Sequence, residues 1–368
     1  MVTGTLTSPK TAADLLKSRQ HFELLDGLRG VAALVVVVFH FLEFVYPDYS
    51  NSPAGHGFLA VDFFFCLSGF VIAYAYDDRI GKIGVKEFFK SRLIRLHPLV
   101  MFGAVLGLIT YLFDPFAAPP AGYGIGQVAV IFITCMLLIP YPFMEERFNN
   151  LFLLNAPAWS LFWEYIANIV YALILCKLPR RILLLVGIAA AVWLSYVAYS
   201  AGNLLGGWGS ASIPDGIARV SFSFTAGMLV YRYNFIIKNK LGFLGLTILL
   251  LAALLMPGTK LNWLTELVAV VVYFPLLVAL GAGSQLNDRA RGICAFSGKI
   301  SYPLYMTHYG FIWIFGHYYN EHKPGGTELF QVIALSTLAL IGLAYLVLKL
   351  YDEPLRKYLT GKRKKIAS

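Results

Sequence analysis

The sequence predicts an all-α, polytopic bundle of membrane-spanning helices, about ten spans with one further short re-entrant or peripheral apolar segment. Three observations predict it. The 368 residues are 58% hydrophobic, with a mean hydropathy of +0.67. Only 14% are charged, against about 25% in soluble domains. The apolar residues also gather into runs near the roughly 20 residues that a helix needs to cross hydrocarbon. The net charge of +10 would suit a nucleic-acid binder in a soluble protein. Here it reads instead as the basic flanking of spans on the cytoplasmic side, so the expected partner is the bilayer and not nucleic acid.

The chain reads as one integral domain, residues 24–357, between a polar cytoplasmic arm (1–23) and a basic cytoplasmic tail (358–368). The arm has no apolar stretch of the signal-peptide kind. The tail's "GKRKKIAS" suits lipid headgroups. Cys66, Cys135, Cys176 and Cys294 are scattered without metal-ligand spacing. They read as packing residues, and no metal is expected.

The first run, 28–46, follows Asp26 and contains Arg29, His40 and Glu43. Ionisable groups within a span are costly and mark function by default. Arg29 and His40 are eleven residues apart, about three helical turns, so they share a face about 16 Å apart. Glu43, three residues after His40, could orient the imidazole. Alternatively His40 bonds a neighbouring carbonyl and Glu43 simply meets the interface. In the second run, 58–76, Asp62 lies just inside the boundary. It could cap its helix or pair with His40. "KSRLIRLHPL" then precedes the run 96–113. Arg92 and Arg95, three apart, face one way and could grip a phosphate with Arg29; ordinary basic flanking is the plainer reading.

The run 125–141 is short and bounded by Pro-rich stretches. The fifth run, 158–176, places Ser160 and Glu164 at i and i+4, with Trp159 and Trp163 as an interfacial aromatic pair. The runs 182–199, 216–233, 241–257 and 264–282 follow. In 300–317, Tyr305 and His308 are three apart, and 328–349 ends at "YDEPLRK", an acid-Pro break. Basic clusters follow the second, fifth, seventh, ninth and last runs. All lie on one side if a single crossing is removed between 96 and 157, and 125–141 is the weakest. Ten spans with both termini cytoplasmic result; eleven is the alternative. A non-spanning segment needs protein to shield its backbone. On that topology Glu164 lies at the depth of His40.

In this order "LDGLRGVAALVVVVFHF", "GFLAVDFFFCLSGF", "SRLIRLHPL", "AWSLFWEYIANIVY", "GKISYPLYMTH" and "DEPLRK" resemble acyltransferase family 3, the integral-membrane O-acyltransferases. The likeness runs from Leu25 to Lys357. It implies an acyl-CoA donor, usually acetyl-CoA, and a hydroxyl acceptor on a glycan, a lipid-linked sugar or another glycoconjugate. It also implies residence in the bacterial inner membrane. The family's catalytic histidine corresponds to His40. Its donor-handling arginines correspond to Arg29, Arg92 and Arg95, and its Trp-Ser-Leu-x-x-Glu element to Trp159, Ser160, Leu161 and Glu164. His97 stands where an aromatic is common, and "WSLFWEYIAN" lacks the second acid, which leaves the acceptor open. His40 would be general base or transient acyl carrier, oriented by Glu164, Asp62 or Glu43. Ser160, Trp159, Tyr305 and His308 are further candidates. Two readings outside the resemblance stay open: a transporter or channel for an anionic solute using the same arginines and histidine, and a scaffold for glycan assembly.

Overall fold

The computed structural model of the protein describes residues 22–118 and 122–367, with backbone alone for 364–367. The arm expected over 1–23 lies outside the described residues except for its last two. The main helices are α1 (Glu23–Val45), α2 (Ala60–Tyr76), α3 (Val85–Leu112), α4 (Ile125–Leu137), α5 (Ala158–Leu173), α6 (Arg180–Ala201), α7 (Ile213–Arg232), α8 (Gly242–Leu254), α9 (Asn262–Gly283), α10 (Asp288–Thr307), α11 (Tyr309–His322), α12 (Gly326–Val347) and α13 (Glu353–Ala367). No strand forms among the described residues; two isolated bridges join Asn150 to Gly209 and Asn239 to Ser284.

Six helical stretches are long and apolar enough to cross a membrane: α1, α2 with the turn before it, α3, α6, α9, and α12 running on into α13. The other expected crossings fall short for identifiable reasons. α4 and α8 have 13 residues each, a rise of about 20 Å against a hydrocarbon core of about 30 Å. α5, α7 and α10 carry polar side chains along their lengths, among them Glu164, Arg219 and Lys299.

Polar ties define two ends of the bundle. At the near end, where α1 begins, Arg232 at the end of α7 donates to Asp77 after α2 (2.7 Å) and to the carbonyls of Leu175 and Leu178 after α5. Glu23 pairs with Arg291 there. At the far end Glu266, at the start of α9, accepts from Tyr49 Oη (2.9 Å) and from the Leu204 amide. Asp114, after α3, pairs with His317 on α11 (2.7 Å). Both ends of α4 are tied to the far-end segment 141–151: Tyr123 bonds Glu146, and the Tyr141 amide bonds Leu151. α8, equally short, instead runs between the ends, from the Asn239–Ser284 bridge to Met256, whose carbonyl meets His56.

Two details depart from expectation. The run 300–317 is not one helix: α10 stops at Thr307 and α11 restarts at Tyr309, with His308 at the break. "YDEP" does not end the last span. Leu348–Asp352 forms a π turn and the helix resumes at Glu353. A second π turn, Ala269–Tyr273, lies within α9. Each stands just before an X-Pro pair, Glu353-Pro354 or Phe274-Pro275. The missing proline N–H and the ring's clash with the preceding turn are absorbed by a wider register instead of a break.

Small residues set the closest helix approach. A Cβ on Gly69 of α2 would strike the Phe224 carbonyl of α7, and one on Gly227 would strike the Cys66 carbonyl. Backbone cannot move aside as a flexible side chain does. Gly69→Ala and Gly227→Ala should each destabilise the bundle by roughly 1–3 kcal/mol. A thermal melt in detergent checks this; an unchanged melting temperature would mean that the two helices separate without cost.

Candidate active site

The near-end halves of α1 and α3, the far-end halves of α2 and α5, the middle and far part of α10 and the α12–α13 turn line a cavity of about 1020 Å³. That is at the top of the roughly 300–1,000 Å³ range of small-molecule pockets. Its inner wall includes Val61, Phe64, Ser160 and Tyr305; Arg356, Lys357, Thr360 and Gly361 of α13 also line it.

Each carboxylate that lines this cavity has a cationic partner. Asp26 pairs with Arg29 (3.0 Å) and Glu164 with Arg92 (2.8 Å). Asp352 pairs with Arg356 (3.1 Å), Glu23 with Arg291 (3.2 Å) and Glu353 with Lys349 (2.9 Å). Arg29 is further occupied by Ser301 Oγ and the Gly298 carbonyl. Close packing of α1 on α10 holds it there: a Cβ on Gly30 would strike Ser297, and one on Gly298 would strike Asp26. Arg95 differs. It lines the cavity and makes no hydrogen bond or ion pair among the described residues. Of the three arginines expected at this mouth, it is the one that feels its neighbouring acids, Asp26 and Asp352, only beyond ion-pair distance.

Glu164 is not beside His40. Its carboxylate accepts from Ser68 Oγ (3.0 Å) and Arg92 Nη2, inside the cavity. The expected common depth does not bring the two together, because helix rotation turns Glu164 toward α3. Asp62 is not beside His40 either. It is fully buried and gripped by Arg219 of α7, with Nη2 at 2.6 Å and Nε within 3.2 Å of both oxygens. Nor is it a helix cap; no side-chain cap bond forms there. Trp159 and Trp163 are buried and not interfacial: Trp159 lies under the Arg219 guanidinium at 5.2 Å, and Trp163 donates to Gly207 O.

The acid that reaches His40 is Glu43, with Oε2 2.5 Å from Nδ1. This contact is set within one helix by the i, i+3 spacing. His40 stands outside the cavity lining. Ser160 Oγ and Tyr305 Oη, 2.8 Å apart, close the inner end. His308 packs next to Tyr305, with ring centres 6.1 Å apart, and His40 stacks on His308 at 5.3 Å. His308 Nδ1 meets the Leu304 carbonyl, and its Nε2 is buried without a partner among the described residues. The Glu43 side chain is 40% exposed and that of His40 18%, so the pair is reached from the far side of this wall. One side-chain layer separates an anion-receptive cavity from a histidine–carboxylate pair.

A family model for an acyltransferase domain matches residues 22–349, which contain nearly all of these groups. The chain belongs to acyltransferase family 3. A Rhizobium radiobacter protein called protein 2 in picA locus is 40% identical over 172 residues, 42% of this chain and 82% of that protein. Acyltransferase MdmB of Streptomyces mycarofaciens is 31% identical over 180 residues, 46% of this chain and 44% of its own length. O-acetyltransferase OatA of Staphylococcus aureus is 36% identical over 95 residues, 25% of this chain and 14% of its own. No solved structure matches the chain. Among the described residues no three His, Cys, Asp or Glu side chains gather as metal ligands.

Sequence reasoning passed over several groups of this membrane acyltransferase. Arg219 is one, although an arginine inside the run 216–233 carries the same signal that singled out Asp62. Asp26, Asp352 and Arg356 are others: the sequence marks Asp26 only as preceding the first run, and Asp352 and Arg356 only as part of the acid-Pro break "YDEPLRK".

Proposed function

We propose that this acyltransferase moves an acyl group, acetyl by default, from cytoplasmic acyl-CoA at the near end to a hydroxyl of a glycan, lipid-linked sugar or other glycoconjugate arriving from the far end. The unpaired Arg95 carries the reading. Among the described residues Arg95 makes no ion pair or hydrogen bond, in a cavity whose carboxylates are all held by other cations; an anionic ligand would match it, and CoA phosphates are such a ligand. The acetyl default rests on the O-acetyltransferase named among the relatives. Lys82, Lys86, Lys90, Arg180, Arg181, Lys238 and Arg289 flank near-end helix termini. They support a cytoplasmic near end, both termini on that side, and ten crossings of the bacterial inner membrane, with α10–α11 making one and α4 none.

In this mechanism His40 Nδ1–H donates to Glu43, which leaves Nε2 as the base. Nε2 takes the proton of the acceptor hydroxyl. The oxygen forms a bond to the thioester carbonyl carbon, the C–S bond breaks, and the thiolate leaves with the proton that His40 returns. Glu43 stabilises the imidazolium between these steps, as the acid does in a Ser-His-Asp triad. Arg29, Arg92 and Arg95 hold the donor. Ser160 and Tyr305 stand where the thioester arrives, and Tyr305 with His308 must let it pass toward His40. Asp62 and Trp159 act at one remove by fixing α2, α5 and α7 around Arg219.

Liposomes holding the purified protein, given labelled acetyl-CoA and candidate glycans, should release free CoA and label the acceptor. Solute uptake without thioester cleavage would instead favour transport. Arg95→Gln should weaken acetyl-CoA binding by about 1.5–3 kcal/mol, the scale of a charge-assisted hydrogen bond, or about 10- to 150-fold in Kd. Titration calorimetry with CoA checks this, and unchanged affinity would remove Arg95 from the donor site.

A further inference from the structure

Two more cations outside any ion pair among the described residues line the same cavity, both acting on Glu353 only at longer range. Lys299 on α10 and Lys357 on α13 are exposed and make no ion pair or hydrogen bond among the described residues. Both lie near Glu353, the residue after Asp352, and α13 is fastened to α3. Arg363 Nε bonds Glu87 of α3 at 2.8 Å, and Lys90 holds the other Glu87 oxygen at 2.7 Å. The basic stretch expected as a tail is therefore helical and forms part of the cavity rim, through Thr360 and Gly361. The cations also differ in kind. Arg95 on α3 presents a rigid planar fork, whereas both lysines are compact, rotatable charges on flexible stems. That arrangement suits a ligand whose anionic part is large and stays at the entrance while a neutral arm extends inward.

We propose that Lys299 and Lys357 bind the phosphorylated nucleotide head of the donor, and that α13 thereby makes the enzyme selective for a nucleotide thioester over a bare pantetheine thioester. The inference rests on the acyl-CoA reading and goes beyond it by assigning donor discrimination to the C-terminal helix. No bond is made or broken at these residues; they act on binding alone.

The test compares acetyl-CoA with S-acetyl-pantetheine, which keeps the thioester arm and lacks the head. Phosphatidylcholine vesicles keep anionic lipid headgroups out of the assay. The wild type should prefer acetyl-CoA, and the ratio of the two kcat/KM values should fall about tenfold in a Lys299→Gln/Lys357→Gln double variant. Adenosine 3′,5′-bisphosphate, the head alone, should compete with acetyl-CoA and lose potency in the same variant. Lys238→Gln/Lys240→Gln, exposed near-end charges outside the cavity, should leave the ratio alone; a merely structural loss would lower both activities together. Equal wild-type kcat/KM values, or a ratio untouched by the double variant, would overturn this assignment and leave the acyl-CoA reading standing. A wild type that cleaves neither thioester would overturn both.

Discussion

His40→Ala should lower acyl transfer by about 10²–10⁴-fold, the usual contribution of a positioned acid–base group, with CoA affinity retained. The expectation follows from where the groups lie. His40 is outside the donor cavity and makes its close polar contact with Glu43. Its loss removes the base and leaves the arginines, Ser160 and Tyr305 in place. His40 is partly exposed, so truncation should not unfold the bundle. Glu43→Gln should cost less, because water already screens a carboxylate that is 40% exposed. Radiolabel transfer and CoA binding are measured on the same preparations. Near-normal transfer by His40→Ala would sink the catalytic assignment, whereas loss of both transfer and CoA binding would mark a structural role.

Arg219→Leu should be the most damaging structural change, destabilising the protein by about 3–5 kcal/mol as the loss of one partner from a buried ion pair does. Arg219 and Asp62 are both fully buried. The guanidinium also donates to the carbonyls of Gly206 and Phe58, so it ties α2, α7 and the far-end loops to one point. Leucine would strand the Asp62 carboxylate without a counter-charge. The diagnostic comparison is with Asp62→Asn/Arg219→Leu, which strands no charge and should recover part of the lost stability. Thermal melts and yield of folded protein in detergent provide the readout. An Arg219→Leu protein as stable as wild type would show that the pair does not anchor the bundle.

Much of the site was legible where the relevant partner is local in sequence. The spacing of His40 and Glu43 sets their contact, because one helix holds both. The spacing of Arg92 and Arg95 likewise put both on the cavity side of α3. Glu164 and Asp62, weighed with Glu43 as acids that could orient His40, pair elsewhere for the opposite reason. Their partners, Arg92 and Arg219, come from other helices, and depth along a membrane normal fixes one coordinate of a side chain while helix rotation fixes its direction. The span count met a similar limit. α5, α7 and α10 lose apolarity by carrying interior polar groups, whereas α1, α2 and α3, which also line the cavity, keep theirs.

By itself the sequence determined that this is a helical membrane protein, which of its ionisable residues are costly enough to matter, and the family to which it belongs. These follow from composition, periodicity and ordered motifs, all properties of a chain before it packs. Only the tertiary structure decided which charges cancel. It paired Arg29, Arg92 and Arg356 with acids, left Arg95, Lys299 and Lys357 without an ion pair among the described residues, and set Tyr305 and His308 between the cavity and His40. The physical reason is that an ion pair needs two side chains within about 4 Å, a condition that packing between distant segments meets and sequence spacing alone does not encode.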